Sequence, residues 1–197
     1  MHSPAKPAPR LLEHLNSWRV LGVLLVLYTF VAGLLFVSPA PFAVSSVARV
    51  CGQPPLDTRL AGNSDGVMGF LTACGPEGRS AYRAMEVVDL FYPLLLGLLV
   101  AACSAMLLAR VARRRPRLRG LAWLPLAGTA LDYLENLCVW LALGSYPDAA
   151  PTNSLLGLAT TAKTTVYAAS WVLLVVLLAW WVIARLVDPG PQKEGKS

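Results

Sequence analysis

Four apolar runs, at about 20–37, 85–109, 121–143 and 154–187, alternate with polar stretches rich in charge, Pro and Gly. A helix crossing the hydrocarbon core of a bilayer needs about 20 predominantly apolar residues. The pattern therefore predicts an all-α polytopic membrane protein, a bundle of four transmembrane helices. Residues 1–19 read as an N-terminal tail, with Leu11, Leu12, Leu15 and Trp18 on one side of a short interfacial helix. The run at 20–37 carries no ionisable group and exceeds the roughly 7–15 apolar residues of a cleaved leader. It reads as a retained scaffold span. Residues 38–84 read as a long loop, 110–120 as a basic connection, 144–153 as a short turn-rich loop and 188–197 as a polar tail.

Three of the runs are interrupted by polar groups at helical spacing. In the second, Glu86, Asp89 and Pro93 fall within about 60° of one another at 100° per residue, with Tyr82 close to the same face. Pro93 has no N–H for the carbonyl of Asp89, so a kink is expected there. Gly97, Ala101 and Ala105 recur every fourth residue, a row that lets helices approach closely in a membrane. The third run holds Asp132, Glu135 and Asn136 within Leu-Asp-Tyr-Leu-Glu-Asn-Leu, where Asp132 and Glu135 would each cost about 2.5–3.5 kcal/mol at the centre of a membrane helix. The fourth is too long for one straight crossing. It carries a polar stripe of Thr160, Lys163, Tyr167 and Ser170 and a small-residue row of Gly157, Thr161, Thr165 and Ala169.

Composition agrees with a membrane protein. Charged residues make up 14% of the chain, against about 25% in soluble domains. The net charge of +6 does not point to nucleic acid. Its arginines cluster between apolar runs, as Arg110, Arg113, Arg114, Arg115, Arg117 and Arg119, and such clusters face the cytoplasm. Four spans then put both termini inside. Lys6, Arg10, Arg19, Arg185, Lys193 and Lys196 join the internal side, against Arg49, Arg59, Arg79 and Arg83 outside. The expected location is a plasma or inner membrane.

Cys51, Cys74, Cys103 and Cys138 form no Cys-x-x-Cys motif, and His2 and His14 lie near the N-terminus. Zinc and thiol-redox motifs are therefore lacking, and no metal or other cofactor is expected. Cys51 and Cys74 share the 38–84 segment and are expected to form a disulfide if it is extracytoplasmic. Cys103 and Cys138 read as small core residues, Tyr92 as packing and Tyr133 as packing or lipid-facing.

Depth connects the polar groups. At about 1.5 Å per residue, Glu135 lies roughly 12 Å below the outer end of the third span, Lys163 roughly 10–13 Å below the start of the fourth, and Asp89 about 6–8 Å from the outer end of the second. Asp132 is deeper. Asp89, Asp132, Glu135, Asn136 and Lys163, with Thr160 and Glu86 beside them, are expected to share an outward-facing cavity. Its acids outnumber its one lysine, so a proton, a cation or a lipid-soluble ligand would balance the charge. A small carrier is the first functional expectation. An enzyme working on a lipid or isoprenoid by carboxylate acid–base chemistry and an accessory protein whose network fixes helix register are the rivals. Expected partners are the bilayer, a second copy of the chain, and a lipid or small-molecule ligand.

Overall fold

The computed structural model describes residues 17–59, 64–113 and 115–187. The expected interfacial helix over 11–18 and the tail at 188–197 lie outside these, apart from Ser17 and Trp18. Trp18 and Arg19 already belong to the first long helix.

Among the described residues every regular element is helical. Helix α1 is Trp18–Ala32, and a π-helical turn extends it over Gly33–Val37. Helix α2 is Val44–Cys51, and a single 3-10 turn follows at Leu56–Thr58. Helix α3 is Ser64–Asp89 and helix α4 is Tyr92–Val111. A 3-10 segment over Pro116–Trp123 leads into helix α5, Leu124–Ser145. A second, Pro151–Leu155, leads into helix α6, Leu156–Val187. Three helical stretches are long and apolar enough to cross a membrane: Trp18–Val37, Ser64–Val111 and Pro151–Val187. Helix α5 is absent from that set because Asp132, Glu135 and Asn136 lower its mean hydropathy.

Helix α4 is central. It packs against α1, α5 and α6, while α5 and α6 pack against each other and α3 leans on α5. Gly97 permits the α4–α5 approach. A Cβ built on it would lie 2.0 Å from Thr129 Oγ1, well inside van der Waals contact, so any larger residue would force Thr129 to shift. Thr129 uses the closeness by donating to the carbonyl of Pro93 at 2.9 Å. Gly128 similarly lies under the ring of Tyr167.

The 38–84 segment differs from expectation, being largely helical. Val67, Phe70, Leu71 and Cys74 recur at i, i+3, i+4 and i+7 and are buried. That is an amphipathic helix signature obscured by surrounding Gly and charge. These residues join Val47, Cys51, Leu56, Tyr82, Cys138, Val139 and Leu143 in one apolar cluster. The segment is thus a cap packed over the ends of the long helices. Cys51 and Cys74 are bonded to each other, tying α2 to α3. Helix α3 is interrupted at Gly75, whose φ of 60° and ψ of −177° define a region essentially restricted to glycine. Pro76 follows, and Arg79 Nη1 donates to the carbonyl of Leu71 across the interruption at 2.8 Å.

The expected second span, 85–109, is interrupted next to Pro93, where a kink was expected. Helix α3 ends at Asp89, Leu90 and Phe91 turn, and Pro93 lies in the first turn of α4, where its missing N–H costs nothing. The turn exposes the carbonyl of Leu90, which accepts the Tyr133 hydroxyl at 2.8 Å. Tyr133 therefore holds this break, a role beyond packing.

The small-residue row on α6 is placed differently from expectation. Gly157 is buried, but Thr161, Thr165 and Ala169 are exposed, because the stripe of Thr160, Lys163, Tyr167 and Ser170 takes the inward face. Thr161 and Thr165 instead donate to carbonyls one turn back, each at 2.8 Å.

Candidate functional site

Helix α5 has the polarity of a soluble helix reversed. Leu134, Leu137 and Leu141 are exposed, whereas Asp132, Glu135 and Asn136 are at most 5% exposed. The polar residues lie at i, i+3 and i+4, one face directed at α6. Lys163 of α6 answers them. Its Nζ is 3.1 Å from Asp132 Oδ1 and pairs more closely with Glu135 Oε2. The Thr160 hydroxyl donates to Glu135 Oε1, with the carbonyl of Leu156 as alternative acceptor at 3.0 Å. Asn136 Nδ2 donates to Asp89 Oδ2 at 3.0 Å, linking α5 to the end of α3. The structure thus brings Asp89, Asp132, Glu135, Asn136, Thr160 and Lys163 into one layer. Glu135, Asn136 and Thr160 are sealed by protein, 14% of the Lys163 side chain and 7% of the Asp132 side chain are exposed, and Asp89 is half-buried.

Glu86 completes the inner side. It is fully buried, and among the described residues neither carboxylate oxygen has a hydrogen-bond partner. Asp57, Asp89, Glu135 and Lys163 all lie within electrostatic reach of it. Asn136 Oδ1 is likewise buried without a partner.

Asp57 is the residue that sequence reasoning missed. It sits on the 3-10 turn of the cap, which packs against both α5 and α6. The buried Tyr82 hydroxyl donates to Asp57 Oδ1 at 3.2 Å. Burial pushes the Asp57 carboxyl above its ordinary range, opposed by the nearby Lys163 ammonium. Its sequence setting, Gln-Pro-Pro-Leu-Asp-Thr, looks like an exposed turn. The one clue was Leu56, an apolar residue that anchors the turn in the cap.

Five carboxyl groups, from Asp57, Glu86, Asp89, Asp132 and Glu135, therefore surround one ammonium. Arg59, Arg79 and Arg83 do not supply the missing charge. They are engaged at the carbonyl of Pro54, at the Tyr146 ring and the carbonyl of Leu71, and at the carbonyl of Leu143 respectively. Among the described residues, no group of His, Cys, Asp and Glu has the arrangement of a metal site.

Tyr92 stacks with Tyr28 and Phe36, with ring centroids 5.6 and 5.3 Å apart. Cys138 is buried in the cap-side core and Cys103 is half-buried. Tyr92 lies within electrostatic reach of Asp89, and Cys138 of Glu135.

No protein-family model matches this sequence, and no curated protein or solved structure matches it significantly.

Proposed function

We propose that this chain is a four-span integral membrane protein whose carboxyl layer takes up a positive charge, a proton or a small cation, from the extracytoplasmic side. In this reading α1, the α3–α4 pair, α5 and α6 cross the bilayer, and the α2–α3 cap with its disulfide lies outside. Helix α5 crosses despite its acids because it turns Leu134, Leu137 and Leu141 to lipid and its polar face to α6. The arginines of 110–119 hold their end in the cytoplasm.

The observation that carries the reading is Glu86. An ionised carboxylate buried without a donor has a large desolvation cost, and proteins relieve it by keeping a proton or binding a cation. Here four further carboxyls and one lysine surround it. The cap turn bearing Asp57 covers the layer, so movement of that turn is the natural entry route. Proton- or cation-coupled carriage of a solute is the activity such a layer supports.

Infrared difference spectroscopy on the purified protein tests this. A protonated-carboxyl band is expected at neutral pH, and Glu86→Gln removes part of it. Absence of the band, together with no stabilisation by any small cation, overturns the proposal. In proteoliposomes, uptake driven by a pH gradient and lost in Glu86→Gln is the carrier result.

A second reading is a register-fixing network, favoured by the near-complete burial of Glu135 and Asn136. It predicts that a Glu135→Gln, Lys163→Met double variant that folds also retains wild-type proton exchange and growth.

A further inference from the structure

The opposite end of the bundle carries two adjoining cavities that the carboxyl layer does not use. One, of about 390 Å³, is lined by Arg110, Arg113 and Arg185 with Trp180 and Trp181. The other, of about 250 Å³, is apolar, bounded by Leu21, Cys103, Met106, Leu107, Leu174 and Leu178. Arg110 lines both, so the basic cavity and the apolar one meet at its side chain. Among the described residues none of the three arginines has a carboxylate partner; the ion pairs there are those of Lys163. Arg110 stacks over Trp18 at 5.4 Å and Arg185 over Trp181 at 5.6 Å. These contacts orient the guanidinium groups, whose N–H edges have no hydrogen-bond partner among the described residues.

We propose that this pair of cavities binds one anionic phospholipid, its phosphate among Arg110, Arg113 and Arg185 and an acyl chain along the groove between α1, α4 and α6. Guanidinium forks match phosphate oxygens, and three of them at one point make the local charge complementary to an anionic headgroup. A soluble phosphate would have no use for the apolar groove. A neutral lipid would leave the arginines unbalanced. The tryptophans lie at the level where aromatic side chains meet lipid headgroups. The bound lipid would clamp α1, which otherwise packs mainly on α4, to the end of α6. The proposal goes beyond the carboxyl layer and shares with it only the membrane setting.

The test is thermal unfolding of the full chain in a neutral detergent with phosphatidylglycerol, phosphatidylcholine or inorganic phosphate, paired with native mass spectrometry of retained lipid. Phosphatidylglycerol is expected to raise the melting temperature by several degrees and to be retained at one copy, with no such effect from the other two. Arg110→Gln with Arg185→Gln abolishes both effects. Arg117→Gln with Arg119→Gln, arginines outside both cavities, leaves them intact. Cys103→Trp fills the groove and lowers retention; Leu174→Trp serves if the first variant does not fold. Equal loss in the Arg117 and Arg119 variant means general charge attraction and overturns the site. A shift with inorganic phosphate equal to that with phosphatidylglycerol overturns the lipid assignment. Unchanged retention in a folded groove-filled variant overturns the acyl placement. Failure of any arm leaves the carboxyl-layer reading untouched, since no residue is shared.

Discussion

Lys163 stands between Asp132 and Glu135, and its removal would leave two buried carboxylates facing each other. Breaking a buried pair by deleting one partner costs about 3–5 kcal/mol, whereas replacing both with neutral groups is often tolerated. Lys163→Met and Glu135→Gln are each expected to lower unfolding free energy by about that range, and the double variant to recover a substantial part. Additive losses in a denaturation series would mean that the two groups do not act on each other. Asp57 gives a separate handle. Its folded carboxyl holds a proton to higher pH than in the unfolded chain, because burial outweighs the attraction of Lys163. Its stabilising contribution is therefore fully present below the unfolded value and lost as pH rises through the folded one. Asp57→Asn keeps an acceptor for Tyr82 but cannot ionise. The variant is expected to lose less stability than the parent between acid and neutral pH, and identical pH profiles would contradict the burial argument.

At the scale of elements, the carboxyl layer depends on how closely α4, α5 and the α3–α4 break are held. Gly97 sets the first spacing and Tyr133 the second. Gly97→Ala pushes a methyl group into Thr129 Oγ1, and overpacking of that kind costs about 1–3 kcal/mol. A lowered melting temperature is expected, with the Thr129–Pro93 hydrogen bond lost. An unchanged melting temperature would show that α4 and α5 are less closely packed than this contact requires. Glu86 and Asp89, in the last turn of α3 before the break at Leu90 and Phe91, approach acids on α5. The proline was visible beforehand as a source of distortion. That it starts a new helix depended on Tyr133, from another element, satisfying the exposed carbonyl.

For the whole molecule, the strongest asymmetry is of charge. The arginines at 110–119 mark one end, and the disulfide-tied cap marks the other. Disulfides persist on the oxidising side of a membrane, so under the proposed topology the cap lies outside and the arginine-rich end inside. In a background with Cys103 and Cys138 replaced by Ser, a cysteine introduced by Asp148→Cys is expected to react with an impermeant maleimide on intact cells. One introduced by Arg117→Cys reacts only after permeabilisation. The reverse pattern would invert the proposed topology and place the carboxyl layer towards the cytoplasm.

Sequence alone determined the helical class and the long apolar stretches, put Cys51 and Cys74 in one segment, and set Glu135 and Lys163 at one depth. These follow from local rules: periodicity, a fixed rise per residue, and the cost of charge among apolar neighbours. The tertiary structure alone decided that 38–84 folds as a helical cap, that the second apolar run splits in two, and that Asp57 faces the carboxyl layer. Each of these rests on contacts between residues distant in the chain. The cap is held by α2 against α3, the break by a tyrosine on α5, and Asp57 by Tyr82 with the ends of α5 and α6. A turn residue in a proline-rich segment has no periodicity to reveal its face, so its burial is fixed only when the helices beneath it assemble.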